Sequence, residues 1–321
     1  MLRSFSTCAL SLSFTLAFAD QPTENEVWAV LQNAAQAAHS QNYQGVFTYQ
    51  SGSSTKSVQI VHANQPHGEY ARILVLDGSP REILSHGEDV IIYRSQDEKV
   101  IIEKRHRQNT FPALLPLDID TLKAAYKARW GGIERIGGRD GQIVFLDSRD
   151  RYRYGYKFWA DREYGLLLRS IMLNLHNEAL EQITFNQLTF FNVTNMDWFH
   201  PNISRDKKYC MESTEPANKL MNQPAWTVTS LPVGFRKLEQ STHTMPGKSV
   251  PITHIIYSDG LAAVSLFVEP INKGIRPKIG HWVMGATHIH AGVSNNHQIM
   301  VVGEVPEATT IQIASAVRFN Q

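Results

Sequence analysis

The pattern of apolar and polar positions predicts one helix followed by a long series of strands. Thr23 and Glu26 have the spacing of a capping box, and apolar residues then recur at helical spacing until about Gln41. Six strands are predicted next, with turn signals between them, at residues 45–50, 57–62, 71–76, 81–85, 89–94 and 100–105. Because no long helix separates these strands, they are expected to pair antiparallel in one curved sheet.

Four further strands are predicted up to residue 192, after a second helix at residues 118–129. The most distinctive segment is the hairpin at residues 149–170. Its first strand carries aromatic side chains on one face and cationic side chains on the other: Tyr152, Tyr154, Tyr156 and Phe158 against Arg151, Arg153 and Lys157. An aromatic wall that faces the aliphatic returning strand could hold an apolar ligand, or it could be ordinary core packing. The first domain is therefore expected to be α+β, with helices covering the concave face of the sheet.

The periodicity disappears after residue 196 and returns at Trp226. This predicts a domain at residues 20–204, a linker at 205–224 and a second, smaller α+β domain at 225–321. The second domain shows a hairpin at residues 254–269, a strand at 298–302 and a terminal helix that carries Ile311, Ala314 and Val317.

The first nineteen residues have the features of a secretory signal peptide. Arg3 precedes an apolar stretch, and Ala17-Phe18-Ala19 fits a cleavage site, so cleavage is expected after Ala19 and export to the periplasm follows. No later segment is apolar enough to predict a membrane span. Cys210 is the one cysteine left after cleavage, which excludes an intramolecular disulfide and leaves the role of this thiol open.

Charge and motifs exclude several function classes. The chain has 31 basic and 30 acidic residues, and this balance argues against nucleic-acid binding. No nucleophile elbow, phosphate-binding loop, dinucleotide fingerprint or zinc-protease motif occurs, so we predict no catalytic residue and no cofactor. Four histidines are close in sequence, His281, His288, His290 and His297, but no acid or cysteine completes a metal site convincingly, and we interpret them as polar hairpin surface.

Several longer motifs together resemble one family. They are Asn42-Tyr43-Gln44-Gly45-Val46-Phe47-Thr48-Tyr49, Leu76-Asp77-Gly78-Ser79-Pro80-Arg81-Glu82, residues 111–116, the hairpin at 149–170, Leu231-Pro232-x-Gly234-Phe235, Tyr257-Ser258-Asp259-Gly260-Leu261-Ala262, Val268-Glu269-Pro270 and Val302-Gly303-Glu304-Val305-Pro306. In this order they resemble the RseB/MucB family of periplasmic negative regulators of the sigma-E envelope-stress response. The resemblance covers essentially the whole chain after the signal peptide.

The resemblance implies a binding protein without enzymatic activity. Members bind the periplasmic part of an anti-sigma factor, RseA/MucA, and shield it from a site-1 protease. Their larger domain is similar to the lipoprotein carriers LolA and LolB, an unclosed barrel with helices over its mouth. Lipopolysaccharide or the acyl chains of mislocalised lipoprotein are thought to enter that cavity and release the anti-sigma factor.

Two sets of candidate site residues follow from the pattern and the resemblance together. The lipid-cavity candidates are Phe47, Tyr49, Leu74, Leu76, Tyr93, Tyr154, Tyr156, Phe158, Leu166 and Leu168. The candidates for binding the anti-sigma factor are Tyr257, Asp259, Leu261, Phe267, Glu269 and Glu304. A lipid or lipoprotein carrier without a regulatory partner is the alternative function, and association between copies of the chain stays open.

Overall fold

The computed structural model of this protein describes residues 23–87, 89–96, 99–106, 110–192, 195–201, 208–212, 225–243, 251–272 and 276–319. The expected signal peptide lies outside these residues. The chain forms two lobes: the N-terminal lobe (residues 24–212) contains a twelve-stranded sheet, and the C-terminal lobe (residues 226–319) contains a six-stranded and a two-stranded sheet. Within the described part of the chain, no helix combines the length and apolar character needed to cross a bilayer.

The N-terminal lobe is one helix laid on an open sheet. Its elements in chain order are α1 (Glu24–Ser40), β1 (Tyr43–Ser51), β2 (Ser54–Gln65), β3 (Gly68–Val75), β4 (Arg81–His86), β5 (Asp89–Gln96), β6 (Lys99–His106), α2 (Asp120–Lys123), β7 (Tyr126–Ile136), β8 (Arg139–Ser148), β9 (Gly155–Asp161), β10 (Leu167–Leu173), β11 (Ala179–Phe190), a 3-10 helix (Met196–Phe199) and β12 (Lys208–Glu212). The strands are arranged in the order β12-β6-β5-β4-β3-β2-β1-β11-β10-β9-β8-β7, so β12 and β7 are the two edges. All neighbours pair antiparallel except β12 and β6, which are parallel. The predicted α+β class with an unclosed antiparallel sheet is confirmed.

Helix α1 begins and ends where the sequence predicts. The Thr23 backbone N–H donates to Glu26 Oε2 at 2.6 Å and the Glu26 N–H donates to Thr23 Oγ1 at 3.4 Å, which completes the capping box. The apolar face of the helix packs against β7 and β9 through seven buried residues: Val27, Trp28, Leu31, Ala34, Ala35, Ala37 and Ala38. This packing fixes the helix over one half of the sheet.

Two predictions for the N-terminal lobe are wrong in detail. The helix expected at residues 118–129 is only α2, and strand β7 begins at Tyr126. Pairing with β8 determines the conformation of this segment, and Gly131-Gly132, which resembles a helix stop, is a bulge in β7 between Trp130 and Ile133. Part of the expected linker at 205–224 is strand β12, which pairs with β6.

The C-terminal lobe places helix α3 against its larger sheet. Its elements are β13 (Trp226–Val228), β14 (Arg236–His243), β15 (Ile252–Ser258), β16 (Ala263–Pro270), β17 (Gly280–Met284), β18 (Thr287–Ser294), β19 (His297–Gly303), α3 (Glu307–Ser315) and β20 (Val317–Phe319). The sheet order is β14-β15-β16-β19-β18-β17, and β13 pairs with β20 separately. Alternate residues of β16, namely Val264, Leu266 and Val268, are buried in a core shared with α3. The expected terminal helix is present, but it ends before Val317.

Candidate functional site

An apolar cavity of about 140 Å³ lies under the concave face of strands β1–β5. The segment 110–113 lines it opposite the strands, and Phe111 in that segment packs edge-on against Phe47 with ring centroids 5.1 Å apart. Its volume is close to that of engineered, enclosed cavities of about 150 Å³ that take up benzene, but this cavity is partly open to solvent. It therefore has room for a short alkyl segment, and a full acyl chain needs residues 110–113 to move away from the sheet.

Two rows of side chains that cross the strands form most of the sheet wall of this cavity, and Tyr43 and Arg81 complete it. The first row is Ile60, Ile73, Ile83 and Ile92, which are paired in register across β2, β3, β4 and β5. The second row is His62, Ala71, Ser85 and Val90, two positions away in each strand. The wall is thus aliphatic over one row and becomes more polar in the next.

His62 gives the second row a firmly held polar group. Its imidazole is 1% exposed and stacks on the Tyr43 ring at a centroid distance of 4.7 Å. Its two ring nitrogens contact acceptors, with Nδ1 2.8 Å from the Gln41 carbonyl oxygen and Nε2 2.8 Å from Glu69 Oε1. The same carboxylate contacts His39 Nδ1 at 3.1 Å, which ties α1 to β2 and β3 at this end of the cavity.

Three of the lipid-cavity candidates lie away from the cavity under β1–β5. Leu74 and Tyr93 belong to a row with Gln59 and Glu82, which is one position out of step with the isoleucine row and therefore on the convex face. Leu76 follows β3 directly and is 47% exposed. These three residues therefore do not line the cavity under β1–β5, and Leu74 instead lines a second pocket, of about 150 Å³, on the other face of the sheet. Contact of these residues with a lipid stays a prediction.

The other seven candidates belong to the half of the sheet that α1 and the C-terminal lobe cover. Phe47, Phe158, Leu166 and Leu168 are buried in the core of the N-terminal lobe. Tyr156 stacks on Phe158 with ring centroids 5.6 Å apart, and Tyr154 packs with Met172 and with Ala286 of the C-terminal lobe. Tyr49 lies on β1, next to Glu181. None of the seven lines the cavity under β1–β5, so their part in lipid binding stays a prediction.

A buried ion pair joins the two lobes, and sequence reasoning missed it. Arg153, expected on the cationic face of the hairpin, is fully buried and donates from Nη1 to Asp259 Oδ2 at 2.6 Å. The guanidinium also donates from Nη2 to the Val233 carbonyl oxygen at 2.5 Å and to Asp150 Oδ2 at 3.0 Å. Both terminal nitrogens of the guanidinium therefore donate to acceptors, as a buried arginine requires.

The groups around the ion pair extend the junction. The Tyr126 hydroxyl donates to Asp259 Oδ2 at 3.2 Å, and burial, followed by the charge of Asp259, raises the pKa of this phenol well above its usual value. Asp259 Oδ1 accepts from the backbone N–H groups of Leu261 and Ala262, so the turn after β15 is shaped around the carboxylate. Thr309 Oγ1, at the start of α3, donates to the Tyr152 carbonyl oxygen at 2.5 Å.

The structure divides the candidates for binding the anti-sigma factor. Asp259, Leu261 and Glu304 face the N-terminal lobe, and Tyr257 is buried in the core of the C-terminal lobe. Phe267 is half-buried on the other face of the sheet, where it stacks on His254 at a centroid distance of 4.3 Å. Glu269 is half-buried two positions further along β16. These two are the candidates on the outer face of the C-terminal sheet.

The four histidines do not form one cluster. His281 Nε2 lies 2.9 Å from His288 Nδ1, and His281 Nδ1 lies 3.3 Å from Glu307 Oε1. Burial, then the neighbouring His281, lowers the pKa of both His288 and His290. His297 is separate, with its ring against Phe319. Among the described residues, no three histidine, cysteine or carboxylate groups are arranged to hold a metal ion.

Comparisons with known proteins cover both lobes. The sequence profile of the MucB/RseB N-terminal domain matches residues 26–203, and that of the MucB/RseB C-terminal domain matches residues 221–318. The sigma-E factor regulatory protein RseB of Haemophilus influenzae is 26% identical over 97% of this chain and 97% of its own length. RseB of Escherichia coli K12 is 27% identical over 91% of this chain and 90% of its own length.

A solved structure agrees with the fold. MucB in the MucA/MucB complex of Pseudomonas aeruginosa superposes with a TM-score of 0.74 at 25% identity, over 92% of this chain and 99% of that chain. The agreement therefore includes both lobes and not one sheet alone. With two family profiles that together span most of its length, the chain belongs to the MucB/RseB family.

Proposed function

We propose that this protein is a periplasmic regulator of a sigma-E envelope-stress response, which acts by binding the periplasmic part of an anti-sigma factor. The observation that carries the proposal is the match of both lobes to one family whose named relatives are sigma-factor regulators. The solved complex of a relative with MucA supports an anti-sigma partner of that type. On this proposal the protein works without catalysis and reaches the periplasm after cleavage behind Ala19.

The bound protein would keep the anti-sigma factor from site-1 proteolysis until a lipid signal arrives. The cavity under β1–β5 supports the lipid part, because it is apolar, is lined by a short segment opposite the strands and has a polar end at His62. At about 0.8 kcal/mol per buried methylene, even a short alkyl segment contributes measurable affinity. We propose that acyl chains of lipopolysaccharide or of mislocalised lipoprotein enter by displacing the segment 110–113.

The test combines capture and protection. The mature full-length protein is mixed with the anti-sigma periplasmic fragment, and capture and resistance to the site-1 protease are measured with and without added lipopolysaccharide. We expect capture and protection, both lost when lipopolysaccharide is added. Absence of capture at saturating protein contradicts the regulatory function, whereas capture that lipopolysaccharide leaves unchanged contradicts only the lipid signal.

A matched pair of variants separates the two parts further. Ser85→Phe fills the cavity, and Leu74→Phe places the same aromatic ring on the opposite face of the sheet. We expect Ser85→Phe to capture the fragment but no longer to release it with lipopolysaccharide. Leu74→Phe is expected to behave like the unmodified protein in both respects.

The cavity on its own also favours a second candidate, a lipid or lipoprotein carrier without a regulatory partner. A carrier would transfer a labelled lipid from donor to acceptor vesicles, and this transfer would not depend on Phe267 or Glu269. A regulator is expected to lose fragment capture when Phe267→Ala and Glu269→Ala are combined. The two readouts together decide between the candidates.

A further inference from the structure

Three histidines of the C-terminal lobe lie together beside helix α3. His288 and His290 are two positions apart on β18, so both side chains are on the same face of the sheet, and His281 of β17 is paired in register with His290. His290 is also opposite Val301 of β19, which is buried in the core that this sheet shares with α3. The three residues His281, His288 and His290, named the histidine cluster below, therefore lie between the β17–β18 hairpin and α3.

The contacts of His281 limit how many protons the cluster can hold. His281 Nδ1 lies 3.3 Å from Glu307 Oε1 on α3, which favours a hydrogen on this nitrogen. His281 Nε2 lies 2.9 Å from His288 Nδ1, so one of these two nitrogens must accept a hydrogen bond from the other. In an imidazolium both ring nitrogens are donors. Two imidazolium rings therefore cannot keep this contact, and the pair holds at most one extra proton.

The third ring, that of His290, also disfavours a second proton. Its Nδ1 is buried and has no hydrogen-bond partner among the described residues. A buried N–H group without an acceptor is costly, so the neutral ring with its hydrogen on Nε2 suits this position. An imidazolium would carry a hydrogen on Nδ1 as well. His290 therefore resists protonation while the hairpin is packed against α3.

The surroundings of the cluster agree with these contacts. Burial, followed by the charge on His281, lowers the pKa of His288 and of His290, and the Glu307 carboxylate acts more weakly in the opposite direction. Within the described part of the chain, His281 of β17 and Glu307 of α3 are the two charged groups that act on both rings. The folded lobe thus favours the neutral form of His288 and His290.

We propose that the histidine cluster makes the attachment of the β17–β18 hairpin to α3 sensitive to acid, firm while His288 and His290 are neutral and loosened when they bind protons. A histidine whose pKa is lowered in the packed state binds protons more readily in the opened state, where the ring is hydrated. The contribution to stability is therefore complete above the ordinary pKa of 6.5 and is lost as the pH falls from there through the lowered values. This inference does not rest on the proposed function.

Hydrogen exchange with mass spectrometry measures the opening of this attachment. The mature full-length protein is compared at about pH 7.5 and about pH 5, and each exchange rate is divided by the intrinsic rate at the same pH, which gives an equilibrium constant for opening. For residues 280–294 and 307–315 we expect this constant to rise about three- to tenfold at the acidic pH, a range that allows for solvent screening at partly exposed rings. An unchanged constant in these two segments overturns the proposal.

A double variant and a matched control assign the response to the cluster. His288→Asn combined with His290→Asn keeps an amide near each Nδ1 position but cannot take up a proton, so it is expected to flatten the pH dependence. His297→Gln changes a histidine of the same lobe whose ring lies against Phe319, outside the cluster, and it should keep the original response. A full response in the double variant contradicts the assignment.

Glu307→Gln provides a test that does not depend on the folding of the double variant. The carboxylate of Glu307 favours the protonated form of both histidines, so its removal makes protonation in the packed state harder. We expect the acid-induced rise in the opening constant to become larger than in the unmodified protein. An equal or smaller rise contradicts the proposal.

Discussion

The two halves of the large sheet are built from similar strands, but they differ on the concave face. Side chains fill this face in one half, and in the other half it borders a cavity. Across β7–β11 the concave face is filled by its own side chains, and Phe158, Leu166 and Leu168 are at most 1% exposed. Across β2–β5 the equivalent face carries the isoleucine row, in which Ile73 and Ile83 remain half-buried beside a cavity. One helix cannot cover twelve strands, and α1 packs mainly on β7 and β9. We infer that the filled half provides stability and the open half provides the space for a ligand.

The largest effect is expected from a cavity made in the filled half. Phe158→Ala should lower the free energy of unfolding by about 3–5 kcal/mol, because the ring is fully enclosed and stacks on Tyr156. Urea denaturation measures this loss. A loss below about 1.5 kcal/mol would mean that this half is not the tightly packed one.

The buried ion pair next to the filled half is expected to rank second. Asp259→Asn leaves Arg153 without its fully buried carboxylate, which should cost about 3 kcal/mol. Asp150→Asn affects the same guanidinium at a more exposed site and is expected to cost about 1 kcal/mol or less. Thermal unfolding of both variants compares them, and equal losses would contradict the special role of the junction.

A smaller loss is expected in the open half. Ile83→Ala should cost only about 1 kcal/mol, since the side chain already borders empty space, and it should enlarge the cavity. Urea denaturation is the measurement, with Phe158→Ala as its counterpart. A loss as large as that of Phe158→Ala would show that the two halves are packed alike.

The smallest effect is expected outside both interiors. Leu76→Ala changes an exposed residue that the sequence places in the cavity, and it should alter the free energy of unfolding by no more than about 0.5 kcal/mol. Ligand binding should also be unchanged. Weaker binding of a small hydrocarbon by this variant would indicate that Leu76 lines the cavity, and it would contradict the assignment of Leu76 to the other face of the sheet.

The sequence predicted the strands well because turn signals and alternation are local. Helix α1, the six strands from β1 to β6 and the hairpin of β15 and β16 agree with the structure to within a few residues. The second helix was mistaken because Leu122, Ala125 and Tyr126 have helical spacing, yet the pairing of β7 with β8 decides the conformation after α2. Such pairing joins segments that a local pattern does not connect.

The sites were harder to predict, for two physical reasons. In β3, Ile73 and Leu74 are both apolar, so alternation does not tell which of them points into the concave face. Arg153 has the ordinary appearance of a surface cation, and only the approach of Asp259 from the other lobe makes its burial favourable. A pattern within one lobe contains no information about that approach.

The central claim is that the open half of the sheet contains a ligand cavity under β1–β5, and calorimetric titration with benzene tests it most directly. The probe matches a cavity of about 140 Å³. We predict that the unmodified protein and Leu74→Phe bind benzene, and that Ser85→Phe, shown to be folded by its urea transition, does not. Equal binding by Ser85→Phe and the unmodified protein, or no binding by any of the three, would contradict the account.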